Sequence, residues 1–136
     1  MKTKILLVLL AAGALWSVQP AQAHHAFAAE YDEKKPVTLT GIVTKMQWVN
    51  PHGWIYMDVK QPDGKVKHWT IETSGPSQLS RRGLKKADFT DGMSAVVKAY
   101  QGKKDPAFAN GRTLVLADGR SFYIGSVGGP NDGADR

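Results

Sequence analysis

Apolar residues run almost unbroken from Ile5 to Trp16, and beyond that point they mostly alternate with polar ones. The run follows a basic start, Met1-Lys2-Thr3-Lys4, and is broken by Ser17-Val18-Gln19-Pro20 before Ala21-Gln22-Ala23. A charged start, an apolar middle and an A-x-A end is the order of a secretory signal. A membrane span needs about 20 apolar residues, and this run is shorter. The pattern predicts a cleavable signal peptide over 1–23, export to the periplasm or beyond, and no stable membrane anchor.

From Val37 the alternation reads as β-strand. Val37 to Val49 is rich in Val, Thr and Ile, residues that suit a half-buried pleated surface. Its apolar parity changes: Val37 and Leu39 share one face, whereas Ile42, Met46 and Trp48 share the other. Gly41 lies between the two sets, so a bulge or bend is expected there, letting one strand serve two sheets. Asn50-Pro51-His52-Gly53 reads as a turn. Trp54 to Lys60 and Lys65 to Thr73 read as strands two and three, joined by Gln61-Pro62-Asp63-Gly64, a type I turn with a glycine bulge.

If that turn fixes the register, paired positions sum to 126. Ile55 then faces Ile71 and Met57 faces Trp69 on an apolar face. Trp54 faces Glu72, Tyr56 faces Thr70 and Asp58 faces His68 on the other. Ser77-Gln78-Leu79-Ser80 suits a short helix, ended by Arg81-Arg82-Gly83 with its basic residues at the negative helix end. Phe89-Thr90-Asp91-Gly92 is a turn and Met93 to Tyr100 a fourth strand. Gln101 to Gly111 reads as a long polar loop. Arg112 to Ala117 and Arg120 to Ile124 flank Asp118-Gly119, expected as a two-residue hairpin.

Three strands, a short helix and further strands, the first long and bent, predict an all-β fold with one short helix. The architecture expected is a small OB-like Greek-key barrel of five to six strands; a plain β-sandwich is the alternative. The organisation is then a signal peptide over 1–23, an irregular N-terminal arm over 24–36, the OB-like domain over 37–125 and a disordered tail over 126–136.

Composition adds exclusions. Cleavage after residue 23 of 136 leaves 113 residues, enough for one core. Removing Lys2 and Lys4 from 18 Lys+Arg leaves 16 against 12 Asp+Glu, a mildly basic +4. The chain has no cysteine. That excludes disulfides, thiolate metal sites, cysteine nucleophiles and a lipid anchor at the cleavage point.

Three segments resemble a known family. They are His24-His25-Ala26-Phe27-Ala28-Ala29-Glu30-Tyr31-Asp32, Thr40-Gly41-Ile42-Val43 and Trp48-Val49-Asn50-Pro51-His52. Together with Leu79-Ser80-Arg81-Arg82-Gly83 and Asp91-Gly92, they look like the domain-of-unknown-function family 6152. The resemblance covers nearly the whole chain from His24 to about Ile124. It departs at Ala26, where a small hydroxyl residue is expected. It implies a small exported protein and supplies no activity.

Candidate chemistry centres on histidine. Cleavage between Ala23 and His24 would make His24 the first residue, so its α-amine and imidazole could chelate one ion. His25 adds an imidazole, His52 is the best third ligand, and Glu30 or Asp32 could add a carboxylate. Nitrogen donors of this kind suit Cu(II) first, then Zn(II) or Ni(II). The alternative is a solvated terminus, with His52 bonded within its turn. His68 is accounted for by its cross-strand partner Asp58.

The other candidate is a recognition face. Trp54 and Tyr56 project away from the apolar pairs, with Arg81 and Arg82 as nearby positive charge. OB folds bind ligands on the strand two and three face. Outside the cytoplasm nucleic acid is not expected, so the partner would be an envelope protein, a peptide or a glycan. The Gln101–Gly111 loop could contribute. No G-x-S-x-G elbow, P-loop or H-E-x-x-H is present, and no nucleophile–base set can be named. The sequence thus reads as a monomeric binding protein rather than an enzyme.

Overall fold

The computed structural model describes residues 26–126, 128 and 129. Residues 26–30 are helical. Six strands follow: β1 (Tyr31–Gln47), β2 (His52–Lys60), β3 (Val66–Ser74), β4 (Ser94–Gly102), β5 (Phe108–Leu116) and β6 (Ser121–Tyr123). Helix α1 (Pro76–Arg81) and a 3-10 turn (Lys86–Asp88) connect β3 to β4. The sheet order is β3-β2-β1-β4-β5-β6, and β3 also pairs with β5. That last pairing is parallel and closes β1 to β5 into a ring. The fold is all-β with the OB-like connectivity that the strand order predicts.

The β2–β3 hairpin has the expected register, from His52↔Ser74 to Lys60↔Val66. Its turn is set by Gln61 N donating to Lys65 O at 2.8 Å and Gly64 N donating to Gln61 O at 2.9 Å. Gly64 has φ +82, a left-handed conformation costly for any side chain with a Cβ. Leu116 and Arg120 repeat this bonding pattern around Ala117, Asp118 and Gly119. The β5–β6 turn is therefore a three-residue loop, rather than the two-residue hairpin read from Asp-Gly.

The alternation sorts the core. Ile55, Met57, Trp69 and Ile71 are buried from the hairpin, Leu39 and Val43 from β1, Val97 from β4, and Leu114 and Leu116 from β5. Leu79 of α1 and Leu84 after it join the same cluster, and so does Ile124. Each such side chain contributes roughly 1.5–3 kcal/mol when fully buried. Trp48, Phe89 and Phe122 pack partly buried against it.

β1 does serve two neighbours, pairing with β4 over residues 36–42 and with β2 over 42–47. Its phase change lies further on than Gly41. The register jumps between Val43 and Lys45, leaving Thr44 as the extra residue of a bulge. Ile42, expected with Met46 on the buried side, is consequently 40 % exposed. Gly41 instead permits close approach of the two strands, because a Cβ there would run into the Asp58 carbonyl oxygen across the ladder.

Three further readings change. The arm before Pro36 is not irregular, because residues 26–30 are helical and β1 already starts at Tyr31. The polar loop is shorter than Gln101–Gly111. Gln101 and Gly102 end β4, and Phe108–Gly111 form the part of β5 whose Phe108, Ala109 and Asn110 close the ring against β3. The tail begins in order, since Ser126, Gly128 and Gly129 are buried; residues 127 and 130–136 lie outside the described residues, as does the segment 1–23 that the sequence pattern reads as a signal peptide.

Candidate functional site

The ladder brings His52, at the start of β2, diagonally across from Glu72 on β3. His52 Nδ1 lies 2.8 Å from Glu72 Oε1. Glu72 is only 5 % exposed, and its other oxygen, Oε2, accepts a hydrogen bond from the Tyr31 hydroxyl. A buried carboxylate needs such partners, because desolvation without them is costly. Burial first, and the Glu72 bond second, raise the Tyr31 hydroxyl well above the ordinary tyrosine range. Tyr31 therefore stays protonated and donates.

An ionised carboxylate only accepts, so Nδ1 of His52 must carry the proton. In neutral His52 the lone pair is then on Nε2, which makes no hydrogen bond among the described residues. His52 itself is half-exposed. A histidine held by a carboxylate on one nitrogen and open on the other is the arrangement found at metal-ligating histidines.

His52 opens onto a cleft of about 410 Å³, lined also by Ala26, Phe27, Glu30, Tyr31, Trp54, Glu72, Asn110 and Ser126. Its aromatic wall is braced: Tyr31 stacks on Phe108 at 5.8 Å and Trp54 lies 5.6 Å from the same ring. Asn110, fully buried, donates to Ser126 Oγ at 2.9 Å. A second cleft of about 330 Å³, lined by Asn50, Pro51, Gly75, Ser77 and Gln78, shares His52 and Ser126 with the first. None of these lining residues is a lysine or arginine. In a chain of formal charge +6, the acidic side chains of this surface, Glu30 and Glu72, face no lysine or arginine in the lining.

The sequence candidates separate. His52, Trp54 and Glu30 line the cleft. Asp32 does not; its carboxylate accepts from Lys34 N at 3.0 Å. Tyr56 lies further along β2 and donates to Gln47 Oε1 at 2.9 Å. Arg82 is structural: it donates to Ser74 Oγ at 2.9 Å and Gly125 O at 3.0 Å and stacks over Tyr123. Arg81 donates to Ser77 O within its own helix. His68 pairs with Asp58 at 2.6 Å, as the register requires. His24 and His25 lie outside the described residues. Among the described residues no three His, Asp or Glu side chains converge as a metal site.

Glu72, Tyr31 and Asn110 do not stand out in the sequence as site residues. One signal was available. In a register summing to 126, positions 52 and 72 are diagonal neighbours on one face, within reach of long side chains.

The chain matches the family of unknown function DUF6152 over residues 13–110 and belongs to it. No curated protein and no solved structure matches the chain.

Proposed function

We propose that this chain, exported and cleaved before His24, is a periplasmic binding protein for a transition metal, copper(II) ahead of zinc(II) or nickel(II). His52 Nε2 is one ligand; the α-amine and imidazole of His24, and the imidazole of His25, supply the others. The observation that carries this is the Tyr31–Glu72–His52 chain of bonds, which engages Nδ1 of a histidine that lines the cleft and leaves its Nε2 without a hydrogen bond among the described residues. Two facts support it further. Ala26, which directly follows His25, lines the same cleft as His52. Two extended residues span at most about 7 Å, so the histidine pair starts within reach of that cleft. The lining carboxylates also favour a cation.

Copper is preferred by donor type. Imidazole and amine nitrogens without thiolate suit Cu(II), and the order of stability places it above Zn(II) and Ni(II). A titration of the mature protein, produced by export so that its N-terminus is native, tests the reading. Tight one-to-one Cu(II) binding that weakens in His52→Ala, and in a variant with one residue added before His24, is expected. Binding indifferent to both changes removes the site.

A second reading rests on Trp54, which stands in the cleft wall. A metal-free recognition module would hold a peptide, a glycan or an envelope protein there. Trp54→Ala would then abolish partner capture while leaving metal binding unaltered.

A further inference from the structure

Beside His52 a polar row lies buried on the outside of the ring. Trp54 pairs with Glu72 across β2 and β3, and Glu72 with Asn110 where β3 meets β5. Asn110 pairs in turn with Tyr100 of β4. The next row along, Ile55, Ile71 and Ala109, belongs to the core. Side chains alternate along a strand, so the first row points away from that core. A bulge in β5 makes this possible: Lys98 pairs with Thr113 and Ala99 with Gly111, leaving Arg112 without a partner on β4. The extra residue lets Ala109 and Leu114, of opposite parity, both reach the core while Asn110 stays outside.

An outer row is ordinarily solvated, yet Glu72 is 5 % exposed and Asn110 1 %. The helical stretch 26–30 and Tyr31 cover them. The Tyr31 hydroxyl bonds Glu72, and the Phe27 ring lies 5.3 Å from Tyr31 and edge-on to Tyr100 at 6.0 Å. The cleft is lined from both sides, by Ala26, Phe27 and Glu30 of the cover and by Trp54, Glu72 and Asn110 of the row. The donors of Tyr31, His52 and Asn110 are spent within this lining. The first two go to Glu72, and Asn110 Nδ2 goes to Ser126 Oγ at 2.9 Å. Acceptors are left over. Asn110 Oδ1 is buried without a hydrogen-bond partner among the described residues, and His52 Nε2 has none either. A buried amide oxygen without a donor destabilises the fold, and such an atom calls for a partner.

We infer that this cleft binds an organic ammonium ion, a primary amine carried on an apolar body. A primary ammonium has three N–H donors and no acceptor, the complement of what the lining leaves free. Its N–H groups donate to Asn110 Oδ1, neutral His52 Nε2 and the exposed carboxylate of Glu30. Its charge is matched by Glu30 and Glu72, and its apolar part lies along the half-buried Trp54. Arg112, which donates to Ser126 O at 3.3 Å, is itself buried and outside the lining. An anion would meet the carboxylates without a lining cation to offset them. A volume of about 410 Å³ is that of a small-molecule site. Every group required is among the described residues, and no metal takes part.

Isothermal titration of phenethylamine, protonated at neutral pH, into the mature protein with a chelator present tests this. Two relatives share its ring: 2-phenylethanol lacks the charge, and phenethyltrimethylammonium keeps the charge but has no N–H. Saturable one-to-one binding of phenethylamine is expected, with both relatives at least about 10-fold weaker. Asn110→Leu should weaken phenethylamine about 10- to 100-fold, the range for a hydrogen bond to a charged group. Asn110→Asp keeps an acceptor and should retain binding. Thermal melts check that each variant is folded. Glu30→Gln, a change at an exposed side chain, should weaken binding several-fold, more at low salt than at high, and it reports even where Asn110 variants do not fold. Equal affinity for 2-phenylethanol means that the cleft reads only the ring, and equal affinity for phenethyltrimethylammonium that no N–H is recognised; either overturns the inference. So does the absence of saturable binding, or wild-type affinity in folded Asn110→Leu or in Glu30→Gln. Cu(II) titrations without the chelator decide the metal reading separately.

Discussion

His52 and Glu72 are joined diagonally across the β2–β3 ladder, Nδ1 to Oε1 at 2.8 Å, and Glu72 is the buried member of the pair. The carboxylate decides which histidine nitrogen is open. Replacing it with an amide keeps the shape but removes the charge that holds the Nδ1 proton. Glu72→Gln should therefore weaken Cu(II) binding about 10- to 100-fold, the range for partners that orient a metal-ligating histidine. Isothermal titration of the mature protein checks this. Unchanged affinity would mean that Glu72 serves the fold alone.

His68 supplies the control. Its ring is 80 % exposed and its partner Asp58 lies across the same hairpin, 2.6 Å away. An exposed pair of this kind contributes no more than about 1 kcal/mol. His68→Ala should shift the urea midpoint only slightly and leave Cu(II) affinity and stoichiometry untouched. A fall in stoichiometry would place a bound ion on the hairpin instead of in the cleft.

Two glycines give opposite expectations for one substitution. A Cβ at Gly64 meets nothing within 4 Å, so Gly64→Ala incurs only the positive φ, about 1–2 kcal/mol. A Cβ at Gly41 runs into the Asp58 carbonyl oxygen and sits 3.1 Å from Val59 Cγ2. Backbone cannot move aside there without parting β1 from β2. Gly41→Ala should be the more destabilising of the two by urea denaturation, and its near-ultraviolet circular dichroism should show disturbed Trp48 and Trp54 packing. Equal losses would show that β1 can shift as a unit.

The hairpin was legible because everything that sets it is local. Gln61-Pro62-Asp63-Gly64 fixes one turn, and period-two alternation then assigns each residue from His52 to Ser74 to a face. The bulges at Thr44 and Arg112 were not legible, because a bulge depends on how a strand meets a distant neighbour. Parity hinted at the first but misplaced it at Gly41, the more conspicuous residue. Phe108–Gly111 reads as loop because its Asn and Gly oppose strand, yet parallel pairing with β3 makes it strand. The site was half visible for the same reason. His52 stood out by residue type, whereas Glu72 looked like surface because its cover, Tyr31, comes from an arm 41 residues away.

The Tyr31 hydroxyl gives a prediction that is independent of any metal. It donates to a buried carboxylate, and a hydrogen bond to a charged group contributes about 1.5–3 kcal/mol. Tyr31→Phe should lose about that much stability at pH 7, measured by urea denaturation. The loss should also depend on pH. Burial and the Glu72 contact raise the folded hydroxyl above its ordinary value, while in the unfolded chain it ionises near pH 10. Above that pH the unfolded state has lost a proton that the folded state retains, so stability falls as pH rises, by up to about 1.4 kcal/mol per unit from this group. Phenylalanine has no such proton. The advantage of the wild type over Tyr31→Phe should be constant from pH 6 to 9 and shrink between pH 10 and 11. A difference that stays constant across that window would mean that Tyr31 ionises alike in both states, and that its bond to Glu72 does not hold the proton in place.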